Sequence, residues 1–382
     1  MAKPRHQRQA SGGVEIDSDL ERLRDAIDVV DREILEKLNA RARLVSAVGD
    51  LKRSQQAPVY VAGRERDLVA ALRDENSGPF PTAGIQHVFR EIISATRTLE
   101  QVVRVAFLGP AGTFSHQATL EQFGALVELV PAASIREVFE LTERGQADFG
   151  IVPVENTIEG VVSESFDALV DSEVTLCGEL LLEISQNLLA GSGDLKAIRK
   201  VASHPQPLAQ CRGWLAQHLP GVETIETAST AAAAKRAAQD ASIAAIGSET
   251  AALAYGLEVV RSAIEDHRGN TTRFVVIGHE RPRSTGADLT SVVFTVRKDQ
   301  RGTLYRLLEP FARYEVNVNS IQSRPIKGKP WEYLFFLDLE GHIEQDHVRK
   351  SLEEAAELAH SSKVLGSFPR ASSLRRTTRR GR

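Results

Sequence analysis

From Ser18 to Arg53 the chain contains no proline and a single glycine, Gly49, while apolar residues return every three or four positions at Leu20, Leu23, Ile27, Val30, Ile34, Leu38, Val45 and Val48. That spacing is the α-helical period, so the stretch reads as one long amphipathic helix. Ser18, followed by Glu21 three residues later, reads as a capping box at its start. At about 1.5 Å per residue the helix runs to roughly 50 Å, longer than a lone small domain can cover. Its apolar stripe therefore calls for a partner chain. A loop with Pro58 follows, then a helix over 64–73, a Gly/Pro-rich break over 77–82 and a third helix over 84–101, so the first segment is all-helical.

Beyond Val103 the texture changes to strand, tight turn and helix in alternation. Apolar runs over 103–108, 147–154, 195–203, 241–246 and 273–277 read as strands, with helical stretches such as 135–144 and 208–219 between them. This alternation predicts an α/β unit with largely parallel strands. Residues 281–289 are polar and turn-rich and read as a linker. The order strand (291–296), helix (303–313), strand (316–324), strand (331–339), helix (345–359), strand (363–368) is βαββαβ, a ferredoxin-like pattern. A chain of 382 residues has room for the three domains this implies.

Charge and cysteine content narrow the function. The net charge of −4 hides an asymmetry: Lys3, Arg5 and Arg8 open the chain, and six arginines close it over 370–382, with no acid in either tail. The body between them carries 38 basic against 51 acidic residues, a net of −13. A body that acidic argues against nucleic acid as the main partner. The tails, 1–13 and 370–382, read as disordered extensions, and the first has no apolar core of a secretory signal. No apolar run approaches the roughly 18 residues a membrane helix needs. Two cysteines, Cys177 and Cys211, are too few for a disulfide framework or a zinc cluster and point to a reducing compartment, the cytoplasm.

The long helix breaks its own pattern. Continuing the stripe from Leu38 by threes and fours brings Arg41 and Lys52 to positions where apolar side chains belong, and Arg24 borders the same face. Cations on such a face either snorkel to water, pair with carboxylates, or line a pocket for a small anion. The segments LRDAID with Arg24, NARARL with Arg41, GDLKR with Lys52, and PVY followed by RERD with Arg64 and Glu65 together resemble the helical chorismate mutase family across 14–101. The resemblance implies that Arg24 and Arg41 clamp the substrate carboxylates, that Lys52 faces the ether oxygen and that Glu65 holds the ring hydroxyl, with Arg64 in support. It also implies a dimer in which one long helix serves both sites. Thr96 stands where a small polar contact is expected, and Glu100 where a neutral amide donor often sits opposite the lysine. Glu100 must be protonated to donate there, so the mutase rate is expected to fall as pH rises. Val61 stands where some relatives have an acidic contact and offers backbone only.

In the middle segment, GPAGTFS (109–115) is a turn opening a helix, VPVENTIEG (152–160) puts Glu155 and Asn156 after a strand, SHPQPLAQC (203–211) again follows a strand, and NTTRF (270–274) precedes the last one. Helix N-termini suit anions, and open α/β sheets bind ligands at the carboxyl ends of their strands. Taken in this order, the four pieces resemble prephenate dehydratase over 103–280. The resemblance implies two α/β lobes like a periplasmic solute-binding fold, with Thr272 as the essential hydroxyl and Arg273 as its neighbouring cation. Thr113, Ser115, Glu155, Asn156, Ser203 and His204 would line the cleft between the lobes. His204 reads equally as a structural imidazole, and Cys211 reads as packing.

The last segment resembles an ACT domain, a small module that binds amino acids, over 290–369. RGTLYRLL and IQSRP occupy the places where relatives show G-A-L and E-S-R-P, with Thr303 and Gln322 as departures. The implied effector is phenylalanine, held by Gly302, Leu304, Gln322, Ser323, Arg324 and Pro325. The whole chain thus reads as multidomain, with a helical mutase segment (14–102), a dehydratase (103–280), a linker (281–289) and an ACT domain (290–369). The expected enzyme is bifunctional, an isomerase and a lyase taking chorismate to prephenate and on to phenylpyruvate in phenylalanine biosynthesis. No cofactor, metal, membrane or nucleic acid is expected, and a homodimer or dimer of dimers is. Alternatives are a dehydratase with a weakened mutase segment, an arogenate-using relative, and an amino-acid-responsive protein without catalysis.

Overall fold

The computed structural model describes residues 12–55, 62–100, 102–296, 302–326 and 332–371, with backbone alone at 12–18, 53–55, 62–64 and 66. Most of both tails and Val61 fall outside the described residues, as does the side chain of Arg64. The chain divides into two compact units, residues 1–59 with 95–101, and residues 60–94 with 102–382.

In the first unit a single helix, α1 (Gly12–Gln55), dominates. Its start corrects the capping-box expectation: the helix already runs through Ser18, which sits in its interior. No proline stands between Gly12 and Ser18 to stop a helix that a long downstream segment has nucleated, so propagation overrides the local cap. Leu20, Leu23, Ile27, Val30 and Ile34 are between 43% and 64% exposed, so the apolar stripe predicted from the spacing is uncovered within one chain. The segment 95–100 packs near the C-terminal part of α1, where a Cβ on Gly49 would lie 3.0 Å from Cγ of Glu100.

The second unit begins with α2 (Ala62–Glu75) and α3 (Thr82–Arg97), whose last turn from Ala95 belongs to the first unit. Then comes a first lobe, built from β1 (Arg104–Leu108), α4 (Phe114–Phe123), β2 (Glu128–Ala132), α5 (Ile135–Glu143), β3 (Phe149–Asn156), the short β4 (Gly160–Val161), α6 (Ser163–Asp171) and β5 (Thr175–Glu183). The chain crosses to a second lobe: β6 (Asn187–Ala190), β7 (Lys200–Ser203), α7 (Pro205–Gln210), α8 (Arg212–His218), β8 (Glu223–Glu226), α9 (Thr230–Gln239), β9 (Ile243–Gly247), α10 (Glu249–Tyr255) and β10 (Glu258–Arg261). It returns as β11 (Thr271–Gly278). The expected strand over 195–203 divides into a 3-10 turn at Leu195–Ala197 and β7, and the expected helix over 208–219 breaks at Cys211.

The return strand changes the topology expected from the sequence. In the first lobe the order is β2-β1-β3-β11-β5, with β1, β2 and β3 parallel and β11 antiparallel to both of its neighbours. The sheet is therefore mixed, because β11 arrives from the other lobe and closes the gap between β3 and β5. The second lobe is a sheet in the order β10-β6-β9-β7-β8. Two crossings thus join two α/β lobes, the periplasmic-binding-like arrangement. Phe107, Phe123, Phe149 and Phe274 pack one face of the first sheet. Each such buried side chain stabilises the fold by about 1.5–3 kcal/mol through removal of apolar surface from water.

The last module is β12 (Asp288–Val296), α11 (Thr303–Arg313), β13 (Val318–Pro325), β14 (Tyr333–Glu340), α12 (Asp346–Leu358) and β15 (Ser361–Pro369). Its antiparallel sheet has the order β13-β14-β12-β15, so the βαββαβ reading of the sequence matches the ferredoxin-like architecture. The module shares a core with the first lobe: Leu289, Val293, Phe336, Leu365 and Phe368 join Val138, Val154, Leu169 and Val275 in one cluster.

Candidate active site

Two groups of candidate residues lie in the helical unit. Arg41, half-buried on α1, donates from Nη1 to Oγ1 of Thr96, which is 8% exposed. About one turn past Val48, the Nζ of Lys52 stands 3.3 Å from Oε2 of Glu100. The two side chains are 20% and 10% exposed, so this pair is largely withdrawn from water. The resemblance set Glu100 opposite Lys52; the contact of Thr96 with Arg41 had no counterpart in the sequence reading. Arg24 is exposed on α1, seventeen residues before Arg41, which separates their Cα atoms by about 25 Å along one helix. Glu65 is half-buried in the first turn of α2, in the second unit.

In the first lobe the chemistry gathers at the carboxyl end of β3. Thr272, 8% exposed on β11, stands in register with Asn156 on β3. The Asn156 amide donates to Oγ1 of Thr272 and to Oδ1 of Asn270, both at 2.8 Å. Its own oxygen accepts from the N–H groups of Ile158 at 2.9 Å and Glu159 at 3.1 Å, which fixes the amide orientation. A hydroxyl that accepts from Asn156 keeps its proton to donate outward. Asn270, 4% exposed, completes this network and was passed over in the sequence because nothing distinguished it from a turn asparagine.

The turn after β1 is held at nearly every backbone group. Gly109 donates to the Ala132 carbonyl at 2.9 Å, Thr113 donates to that of Leu108 at 3.0 Å, and Oγ1 of Thr113 caps α4 by accepting from His116 N–H. The Gly112 N–H donates to Nδ1 of His116 at 3.0 Å. The second lobe grips the same turn: Ser248 donates to the Gly112 carbonyl and Tyr255 to that of Ala111, each at 3.0 Å. Gly112 has φ +88°, and a Cβ there would lie 3.1 Å from Cα of Ala251, so both conformation and contact require glycine. His116 is buried against the Phe107 ring, with centroids 5.2 Å apart, and burial lowers its pKa. Its tie to Gly112, like the Ser248 and Tyr255 contacts, had no signal in the sequence beyond a histidine after Ser115. Ser115 itself is buried in the first turn of α4.

Other expected cleft residues are placed differently. Ser203 has no exposed surface and donates to the Ile246 carbonyl at 2.8 Å, a tie inside the second lobe. His204 is half-buried at the N-cap of α7, and Glu155 is half-buried beside Arg273 in the β3–β11 register. Near the crossings, Gln186 donates to Gln210 at 3.3 Å, and the remaining amide atoms, Gln186 Oε1 and Gln210 Nε2, are buried without a protein partner. Burial pushes the thiols of Cys177 and Cys211 up to about 12, which leaves both as inert packing groups.

Arg273 is the main correction. Successive residues of a strand face opposite sides of the sheet, and Arg273 turns away from the Thr272 hydroxyl. Its Nε donates to Oε2 of Glu179 at 2.8 Å and its Nη1 to Oδ2 of Asp338 at 2.5 Å, the latter on β14 of the last module. Burial disfavours its charge, but Asp338 and Glu179 outweigh that and raise its pKa above the ordinary value. In that module Gly302 caps α11 at φ +74°, and Leu304 is 37% exposed. Gln322 and Arg324 share the half-buried face of β13, with Ser323 and Pro325 exposed on the other. Arg324 pairs with Oδ1 of Asp167 on α6 at 2.9 Å. Among the described residues no group of three His, Cys, Asp or Glu could hold a metal ion, and no helix is long and apolar enough to cross a membrane.

An all-helical segment with cations on one stripe, a two-lobed α/β unit with a buried threonine at a strand end, and a ferredoxin-like module together define a multidomain protein with two separate candidate sites. Family comparison gives the same division: chorismate mutase type II matches residues 23–101, prephenate dehydratase 105–282 and the ACT domain 290–357. A bifunctional chorismate mutase/prephenate dehydratase of Aquifex aeolicus is 44% identical over 357 residues, covering 92% of this chain and 98% of that protein. One from Neisseria gonorrhoeae is 40% identical, covering 91% and 96%. The prephenate dehydratase of Arthrobacter aurescens, solved in complex with L-Phe, is 34% identical with a TM-score of 0.64, covering 70% of this chain and 90% of that one. The chain therefore belongs to the bifunctional chorismate mutase/prephenate dehydratases, which carry an isomerase and a lyase on one polypeptide.

Proposed function

We propose that this chain rearranges chorismate to prephenate in a helical site at 14–102 and converts prephenate to phenylpyruvate in the lobes at 103–280, with phenylalanine acting as inhibitor through the module at 290–369. The observation that carries the lyase assignment is the Asn156–Thr272 hydrogen bond of 2.8 Å at the carboxyl end of β3. Aromatisation drives this reaction: the bond to the ring carboxylate breaks, its electron pair enters the ring, CO2 leaves, and the ring hydroxyl departs as water with a proton. The protein's part is to hold that geometry and to assist the leaving hydroxyl. Thr272, oriented by Asn156, donates a hydrogen bond or relays the proton, since a threonine hydroxyl is too weak an acid to be the ultimate source.

The rearrangement needs no nucleophile. It needs the reactive conformer held and the charge developing on the ether oxygen stabilised. Arg41 supplies bidentate carboxylate recognition, with Thr96 as the neighbouring polar contact, and Lys52 supplies a point charge to the oxygen. Glu100 donates to that oxygen when protonated. The roughly 25 Å between Arg24 and Arg41 along α1 is too long for one small dicarboxylate. Arg24 therefore comes from a partner copy, in a homodimer or dimer of dimers whose contact covers the exposed stripe of Leu20, Leu23, Ile27, Val30 and Ile34. The resemblance assigns the ring hydroxyl to Glu65, with Arg64 in support and Val61 offering backbone only. In the lobes, Thr113, Ser115, Glu155 and His204 border the substrate, while Ser203 supports the β7 end from beneath. Phenylalanine is held by Gly302, Leu304, Gln322, Ser323, Arg324 and Pro325. The cytoplasm, where both buried thiols stay reduced, is the expected location.

The deciding experiment follows chorismate, prephenate and phenylpyruvate with time in purified protein, with and without phenylalanine. Sequential appearance of both products, slowed at the second step by phenylalanine, is expected. Prephenate accumulating without phenylpyruvate overturns the lyase assignment, and unchanged chorismate overturns the mutase assignment.

A further inference from the structure

The arginine beside Thr272 has no role in the site as drawn, yet it is buried and doubly paired. The Arg273 side chain is 17% exposed and lies between carboxylates that are 5% exposed (Glu179, on β5 of the same sheet) and 13% exposed (Asp338, on β14 of the ACT module). Asp338 is a hub: Ser291 on β12 donates to its Oδ1, and Ser320 on β13 donates to Oδ2 at 3.1 Å, the oxygen that also meets Arg273. Ser320 shares the half-buried face of β13 with Gln322 and Arg324, the proposed effector residues. A chain of direct contacts therefore runs from that strand face through Ser320, Asp338 and Arg273 to the peptide that carries Thr272.

A buried ion pair is costly to break when one partner moves, because the other is left unpaired away from water. A shift of β13 that pulls Ser320 from Asp338 must therefore disturb Arg273 or move with it. We propose that Arg273 is a positioning residue, not a substrate contact: through Asp338 it sets the Thr272 hydroxyl, so the dehydratase rate depends on the state of the ACT sheet. By this route the ACT module reaches the chemistry through the Arg273–Asp338 pair, and effector binding acts by favouring a second arrangement of that pair. This last clause rests on phenylalanine being the effector; the positioning role does not.

The test uses the full-length protein with the variants Arg273→Lys, Asp338→Asn and their combination. Mutase activity of the same chain serves as the folding control. A positioning role predicts that Arg273→Lys lowers dehydratase kcat about tenfold with KM held within about twofold, since only the transition-state geometry is lost. Asp338→Asn, some distance from substrate, is expected to lower kcat in the same sense, and the double variant to be no slower than Arg273→Lys alone, because both break one link. Phenylalanine added to Asp338→Asn is expected to inhibit at a concentration about fivefold or more above the wild-type value, while its calorimetric Kd stays within about twofold. A raised KM with preserved kcat in Arg273→Lys, multiplicative losses in the double variant, or wild-type rate and inhibition in Asp338→Asn each overturn the proposal. Should Arg273→Lys fail to fold, Ser320→Ala replaces it against Asp338→Asn under the same non-additivity criterion. If the wild type does not bind phenylalanine in the calorimeter, the effector assignment alone falls, and the kcat and KM pattern still decides the positioning role.

Discussion

The helical unit and the first α/β lobe handle charge in opposite ways. In the helical unit the candidate groups are ions: Lys52 faces Glu100 at 3.3 Å, largely withdrawn from water, and Arg24 is exposed. At the end of β3 the candidate groups are neutral: Asn156, Asn270 and Thr272 are each 8% exposed or less, and the adjacent cation, Arg273, is turned to other partners. The difference follows from the chemistry. A rearrangement that develops charge on an oxygen gains from a fixed cation, whereas expelling a hydroxyl gains from a donor of fixed direction. On the proposed assignment one chain carries an electrostatic site built around a long helix and a hydrogen-bonding site assembled by a sheet.

The strongest way to break that comparison is to remove the donor. Thr272→Val keeps the shape of the side chain and is expected to lower dehydratase turnover by about 10²–10³-fold, with the mutase rate unchanged in the same preparation. Turnover near wild type would end the assignment. The cation is the matching target in the other unit: Lys52→Ala is expected to cost about 10²-fold in mutase kcat while supplied prephenate is still consumed at the wild-type rate. Equal loss of both activities would mean that the variant had damaged folding or assembly and that the two sites are not independent.

A smaller effect probes the ionic character of the helical site. Glu100→Gln replaces the carboxylate 3.3 Å from the Lys52 amine with an amide that can donate to the ether oxygen, and is expected to raise mutase kcat by about threefold with dehydratase turnover unchanged. An equal or lower mutase rate contradicts that role. The smallest effect concerns the held turn in the lobe. Burial lowers the pKa of His116 in the folded state, while the unfolded chain has an ordinary value of about 6.5. The unfolded state therefore binds the proton more readily, and the stability contributed by neutral His116 is present above about pH 6.5 and is lost as pH falls below it. The melting temperature of the wild type is expected to drop on acidification relative to His116→Asn, which keeps an acceptor for the Gly112 N–H and does not titrate. Parallel curves for the two proteins would show that His116 is not the group being protonated.

The legible parts of this protein are those governed by near neighbours in the chain. The α1 stripe, the helix at Thr303–Arg313 and the βαββαβ order follow from periodicity, because helix and strand periods act over a few residues. The start of α1 at Gly12 escaped the capping signal, since a cap is worth only about 1 kcal/mol against a long cooperative helix. Arg41 and Lys52 were legible singly, as cations on an apolar stripe, whereas the partners they meet, Thr96 and Glu100, lie some fifty residues away and carry no periodic signal. The partners of Arg273, Glu179 and Asp338, are not legible in the same way, because a strand sends neighbouring side chains to opposite faces and these carboxylates lie far off in the chain.

By itself the sequence determined that the chain has a helical segment, an α/β segment and a ferredoxin-like module, and which residues could be catalytic, because those properties depend on local spacing and side-chain chemistry. Only the tertiary structure decided what those residues meet. It inserted β11 between β3 and β5, bringing Thr272 to Asn156 across more than a hundred residues of chain, and it joined Arg273 to Asp338 in another module. Contacts of that kind arise from strand order and burial, which minimise unpaired backbone and exposed apolar surface over the whole unit and leave no trace in the residues on either side.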